Sequence, residues 1–430
     1  MPGEASRDAA RLLVPDMELR ARRGHPDFLD LPWHLRLERW DVESTGGRLV
    51  RMAHGVSRHV VRFVQYESRV YALKSTEEAV ARREYELLRA LADANLPVVE
   101  AVGVVTGRLD PAGEALPAVL VTRYLDFALP YRYLFGNPTG MDLRQRLIDA
   151  GVILLCRLHL EGFFWGDCSL NNILFRRDAG ALMAYLVDAE TGELRPSIGD
   201  SMREHDLDIA TTNIAGDLID LIESGRIPEV DVAAAVDEFA ERYHALWDEL
   251  THVEEFPVSE RHRIDTRIRR LEDLGFDVAE ITLRPGQGGT TLRMRPALLE
   301  EGHHARELER LTGLAVQENQ ARRFLADITA FGAWLERTEG GPVPRAVAAA
   351  RWLHEVYEPF TTLPEALADR IEPPELFHEL LEHRWFLSEQ WGRDVTNEEA
   401  LADYLATVLE ERPPERMVVE PDDAEDAAGD

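Results

Sequence analysis

From Gly46 to Val105 the sequence alternates in a way that few folds accept. The runs RLVRMA, HVVRFVQY and RVYALKS are rich in β-branched and aromatic residues and are separated by the turn-like HGVSR and ES, so they read as three successive strands. EEAVARREYELLRALADA then carries apolar residues at helical spacing, and LPVVEAVGVVTG and PAVLVTRYL return to strand. The order is three strands, one helix and two strands, an α+β arrangement. The third strand holds Lys74, and of the 48 Lys and Arg residues of the chain 47 are arginine. An ammonium on a long thin stem reaches an oxyanion end-on, in a space that the planar guanidinium fork does not fill in the same way. Lys74 is therefore either a position that needs this compact charge or a surface lysine that escaped replacement.

The character changes near Met141. DLRQRLIDAGVILLCRLHLEGF is a long helix ending near Gly162, followed by two strand-like pieces, NNILFRR and LMAYLVDAE, around the turn-like DAGA. Helices follow in REHDLDIATTNIAGDLIDLIES and VDVAAAVDEFAERYHALWDEL, and a boundary is expected near Thr251 to Pro257. At 430 residues the chain exceeds the roughly 250 to 300 that one core sustains, so two or three compact units are expected. Beyond the boundary the pattern reads as helix, strand, Gly-rich turn and strand, then as helices to about Glu411.

A formal charge of −31 argues against general nucleic-acid binding, which depends on Lys and Arg neutralising phosphates. The N-terminus lacks a basic start followed by an apolar run, and no window approaches a membrane span, so a cytoplasmic protein is expected. Cys156 and Cys168 form neither a disulfide framework nor a zinc pattern and read as reduced core thiols. The terminal VVEPDDAEDAAGD reads as a disordered acidic tail.

The chemistry concentrates between Arg157 and Glu193, in RLHLEGFFWGDCSLNNILFRRDAGALMAYLVDAETGE. Asp167 is followed five residues later by Asn172, Leu158-His159 precede it, and Asp188 closes the apolar strand LVDAE. This set resembles the protein-kinase-like superfamily. The resemblance implies a two-lobed fold with Lys74 and Glu84 at the nucleotide phosphates, Asp167 as the catalytic residue at the acceptor, and Asn172 and Asp188 as metal ligands. Glu84 is preferred to Glu86, half a turn away, by its spacing from Leu87-Leu88. Phosphoryl transfer needs the same inventory on physical grounds: a cation on the phosphates, one carboxylate at the nucleophile, and carboxylate and amide oxygens for Mg²⁺. ATP with Mg²⁺, or Mn²⁺, is the implied cofactor pair. By analogy the adenine meets backbone near Arg123 and Leu125, in VLVTRYLD.

Several features depart from the common pattern. One glycine remains in the phosphate-covering stretch MAHGVSRHVV, where Gly55 and Ser57 either cradle phosphate with their amides or close a plain hairpin. Trp165-Gly166 replaces the His-Arg that receives a phosphorylated activation loop, and about fifteen residues separate Asp188 from the next helix. These traits are more similar to RIO kinases, aminoglycoside phosphotransferases and lipopolysaccharide core (Kdo/heptose) kinases. The whole chain resembles an uncharacterised bacterial lipopolysaccharide-kinase-like family with a C-terminal domain of unknown function. Glu190 is either an additional metal or water ligand or a solvent-exposed side chain.

The expected organisation is an extension over 1–45, a small lobe over 46–123, a compact large lobe over 124–252, a mostly helical module containing a β-hairpin over 253–411, and a tail over 412–430. Ordinary readings are preferred for three other features. His303-His304 with Glu307 and Glu309 read as a solvated helix start, Arg263, Arg267, Arg269 and Arg270 as surface ion pairs, and the aromatic LFHELLEHRWFLSEQWG as helix core or an interface. The expected activity is that of an atypical kinase acting on a small-molecule, sugar-like or protein hydroxyl. The alternative is a nucleotide-binding pseudokinase or ATPase switch that scaffolds a protein partner through its C-terminal module.

Overall fold

Period-two alternation gives the small lobe two different faces. A computed structural model describes residues 17–52, 58–131, 134, 140–227, 230–273, 276, 278–285, 291–298, 302–416 and 420–421. Strands β1 (Glu18–Ala21), β2 (Leu49–Arg51), β3 (Val61–Tyr66), β4 (Arg69–Thr76), β5 (Ala101–Thr106) and β6 (Ala118–Arg123) pair antiparallel in the order β1-β5-β6-β4-β3-β2. Helix α1 (Glu78–Asp93) buries Ala81, Tyr85, Leu88 and Leu91 in one core with Val104 and Leu120. On the opposite face Tyr71, Leu73, Val119 and Val121 pack under Phe28, Leu31, Trp33, Leu37 and Trp40. Residues 17–48 are thus part of this lobe and supply its edge strand. The described part of the extension expected over 1–45, residues 17–45, is integrated because the outer face of the sheet is apolar and needs cover. Buried Arg108 fastens the cover by donating to the carbonyls of Trp33 and Leu35.

The large lobe contains β7 (Leu129–Pro130), α2 (Gly140–Leu160), β8 (Phe163–Phe164), a 3₁₀ turn (Leu170–Asn172), β9 (Ile173–Asp178), β10 (Ala181–Leu186), β11 (Glu193–Leu194), α3 (Asp200–Glu223) and α4 (Val232–Thr251). β9 and β10 form a hairpin, with β7 on the other side of β9. Phe239, Tyr243 and Leu246 of α4 and Leu154 and Leu158 of α2 share the core that reaches α1.

The third part holds β12 (Glu254–Pro257), α5 (His262–Asp273), β13 (Val278–Pro285), β14 (Thr291–Leu298), α6 (His303–Thr312), α7 (Glu318–Glu339), α8 (Arg345–Trp352), α9 (Glu358–Thr361), α10 (Pro373–Trp391) and α11 (Asn397–Tyr404). Its helical core centres on the rings of Phe324, Trp352, Tyr357 and Phe377, 5.3 to 5.7 Å apart. Leu271 and Phe276 instead join the core of the large lobe, so the chain passes from one unit to the next without a packing gap. Among the described residues no helix is long and apolar enough to cross a membrane.

Residues 412–416, expected to belong to the acidic tail, are held by ion pairs. Arg412 ion-pairs with Glu379 at 2.9 Å and Glu415 with Arg177 at 2.7 Å; Glu415 is buried and Arg412 half-buried. The sequence of this stretch is polar, but each charge meets an opposite one. A last strand, β15 (Glu420–Pro421), pairs with β2 and completes a seven-stranded sheet. Residues 417–419 and 422–430 lie outside the described residues.

The seam between hairpin and third part buries a carboxyl group. Asp178 accepts from the amides of Asn319 at 3.2 Å and Gln320 at 2.9 Å. Burial nevertheless pushes it up from 3.8 to about 6, against those amides. Between about pH 4 and 6 the folded chain therefore holds a proton that the unfolded chain has released, and the stability contributed by this group falls as pH rises through that interval. Thermal midpoints of wild type and Asp178→Asn should diverge in favour of the variant from pH 4 to 6. A pH-independent difference would contradict a buried ionising carboxyl.

Candidate active site

Four polar side chains meet where the two lobes face each other. Lys74 lies on β4 on the same strand face as Val70 and Ala72, turned away from Tyr71 and Leu73, which the outer core takes. Glu84 lies on the buried stripe of α1, whereas Glu86 is exposed. The Lys74 ammonium is 3.0 Å from Glu84, 2.7 Å from Asp188 and 3.1 Å from Glu190. Burial opposes the charge on Lys74, but the Glu84 and Asp188 carboxylates outweigh it and hold its pKa above the ordinary lysine range. Burial and the Asp188 charge push Glu84 up to about 7, against the pull of Lys74. Asp188, desolvated but facing the ammonium and the Glu190 amide, stays below the usual carboxylate range.

Asp167 stands on the loop after β8. Asn172 donates to its backbone oxygen at 2.9 Å and its carboxylate at 3.1 Å, and Asn213 donates to the other carboxylate oxygen at 3.2 Å. Burial raises the Asp167 carboxyl above the ordinary aspartate range, opposed by Asn172 and by Arg58, whose guanidinium lies 3.7 Å away. A group set in this way is suited to accept a proton. Oxygens of Glu84, Asp188 and Glu190 lie within 4.8 Å of one another. Three carboxylates around one ammonium leave excess negative charge, and hard oxygen donors of this kind fit Mg²⁺ or Mn²⁺. Asn172 turns its amide nitrogen to Asp167.

The loop is held from beneath by α3. Asp206, buried, accepts from the amides of Trp165 at 2.6 Å and Gly166 at 2.8 Å and contacts His159 at 3.1 Å. Gly166 has φ +73°, and a Cβ there would come within 2.9 Å of Phe164, so the residue before Asp167 has to be glycine. Asp217 accepts from the Leu170 amide at 2.8 Å and the Asn171 side chain at 2.5 Å. The Trp165 indole donates to the Asp188 carbonyl at 2.9 Å, joining the two motifs.

Residues 50–216 match the lipopolysaccharide kinase (Kdo/WaaP) family. The fold is kinase-like, and residues 245–409 match a domain of unknown function, DUF4032. Among solved structures, WaaP in complex with acyl carrier protein is 17% identical with a TM-score of 0.36, the match covering 60% of this chain and 99% of that one. The BubR1 kinase domain is 11% identical with a TM-score of 0.28, covering 35% and 48%. No curated protein matches the chain.

Within residues 50–216, Lys74, Glu84 and Asp188 come together and Asp167 pairs with Asn172. Glu190 joins the lysine and also lies 2.7 Å from His59, so it is not the exposed side chain that its sequence position allows. Arg123 turns its guanidinium to Glu100, 3.7 Å away, and its amide donates to the Glu100 carbonyl at 2.9 Å, while the Leu125 carbonyl already accepts from Ala128 at 3.2 Å. Gly55 and Ser57 lie outside the described residues. Cys156 and Cys168 are buried thiols, and burial raises Cys168 well above the usual range. His304 bonds Glu318, Glu307 pairs with Arg345, and Arg263, Arg267 and Arg270 pair with Glu254 and Glu249.

Sequence reasoning missed Asp206, Asn213 and Asp217, although their i, i+7 and i+11 spacing marks one polar stripe on a helix that is otherwise apolar on that side. It also missed Arg58 and His59. A cavity of about 1020 Å³ lies away from this site, against α2, α4 and the start of α7. Asp206→Ala should strand the Trp165 and Gly166 amides at about 1–3 kcal/mol each, seen as a lower unfolding midpoint and faster proteolysis near Trp165. An unchanged midpoint would remove Asp206 from the anchoring role.

Proposed function

We propose that this atypical kinase transfers the γ-phosphoryl group of ATP to a hydroxyl of a small-molecule, sugar-like or protein acceptor. The observation that carries the reading is the Lys74 ammonium of the small lobe held 2.7 Å from Asp188 of the large lobe, with the Asp167 and Asn172 pair beside it. Lys74 binds phosphate oxygens and Glu84 orients its ammonium. Asp167 accepts the proton of the attacking hydroxyl, and Asn172, Asp188 and, by position, Glu190 hold the divalent ion. That ion, when bound, neutralises phosphate charge.

One observation favours a second reading. Lys74 is ringed by three carboxylates, so a nucleotide has to compete for its ammonium, as it would in a switch that binds ATP without transferring phosphate. Mg²⁺-dependent ATP turnover, hydrolysis and autophosphorylation together, separates the two. Asp167→Asn should lower turnover by about 100-fold or more while leaving binding of a fluorescent nucleotide intact. Lys74→Met should abolish both. Turnover that survives both changes would refute the phosphotransfer site, whereas Lys74-dependent binding with no wild-type turnover would establish the switch.

A further inference from the structure

The residues that hold the metal in this reading hang from the two ends of one hairpin. β9 begins immediately after Asn172, and β10 ends two residues before Asp188. The turn between them, Ala179-Gly180, has φ of 52° and 83°, the left-handed pair of a two-residue hairpin, with alanine in a conformation that favours glycine. Within the kinase-like domain Arg146 of α2 donates to the Gly180 carbonyl at 2.5 Å; the turn's amides donate instead to Glu375 of α10, at 2.8 Å from Ala179 and 3.4 Å from Gly180. Glu375 is buried and is itself held by the Gln320 side chain at 2.8 Å. Beside it, Asp178 takes the Asn319 and Gln320 amides and the Asn319 side chain at 3.0 Å. Arg176 pairs with Glu372, Arg177 with Glu415, and Tyr185 with Gln317.

Six consecutive or facing positions of the hairpin thus find polar partners in residues 317–415, and several of these contacts are buried. A surface that only tethered one unit to another would not need a carboxylate desolvated against a turn, or an aspartate placed at the first amides of a helix. We propose that the C-terminal module is a brace for the metal-binding hairpin, with Glu375 and Asp178 as positioning residues that fix where Asn172 and Asp188 stand relative to Asp167. This rests on the phosphotransferase reading above and gives the module of unknown function a task within the same site.

The test is Mn²⁺ binding in the presence of nucleotide, followed by electron paramagnetic resonance on the full chain, with ATP turnover and thermal midpoint measured alongside. Glu375→Ala should weaken Mn²⁺ binding by about 10- to 100-fold, the range for residues that orient metal ligands, and lower kcat, while Lys74-dependent nucleotide binding stays within about twofold. Glu375→Gln, which keeps an oxygen for the turn amides, should recover most of the loss, a rescue that a merely structural role does not require. If Glu375→Ala fails to fold, Asn319→Ala, which removes one donor to Asp178, is read in the same way. Unchanged Mn²⁺ affinity and kcat in a folded variant would overturn the brace. Absence of Mn²⁺ binding in wild type, or binding indifferent to Asp188→Asn, would instead overturn the metal site on which it rests.

Discussion

A single ammonium shared among carboxylates from both lobes sets the terms for everything around it. Lys74 comes from a strand, Glu84 from a helix, and Asp188 and Glu190 from the end of a hairpin. None of these groups tolerates burial alone, since an unpaired charge in a protein interior is strongly disfavoured. Together they are stable only if three elements arrive at one point. The opposite responses of the two acids follow from this geometry: Glu84, buried most deeply, is pushed towards its neutral form, while Asp188, closest to the ammonium, stays ionised. The arrangement also keeps more negative than positive charge at the cleft, an imbalance that a divalent cation would offset.

Around this centre the protein repeats one device. Loops that must hold a fixed shape are tied by their own amides to a buried carboxylate on a neighbouring helix. Asp206 does this for the stretch before Asp167, Asp217 for the stretch after it, and Glu375 for the hairpin turn. Each removes donors that a loop would otherwise leave unsatisfied, and charge-assisted bonds of this type are stronger than those between neutral groups. Rigidity at the site is thus assembled from acids that never face the cleft.

What was legible in the sequence was local. Alternation in β4 put Lys74 on one face, helical spacing chose Glu84 over Glu86, and the intervals between Asp167, Asn172 and Asp188 depend on a short loop and hairpin whose geometry the residues themselves dictate. The illegible parts depend on partners far along the chain. Residues 17–48 look like an appendage until the apolar outer face of the sheet is seen to need them, and Arg412 and Glu415 look like a solvated tail until Glu379 and Arg177 are placed opposite. Asp206 and Asp217 read as surface acids on a helix because nothing local reveals which amides they receive.

The contact between Ala179 and Glu375 joins residues 196 positions apart. At about 5–20 residues per second a ribosome makes Glu375 roughly 10–40 s after Ala179. During that interval both lobes of the kinase-like domain emerge, yet the hairpin turn has no carboxylate to receive its amides. A chain interrupted before α10 would carry every residue of the polar cluster and still lack the Glu375 carboxylate that receives the turn amides, so the order of synthesis places completion of this support late in making the molecule.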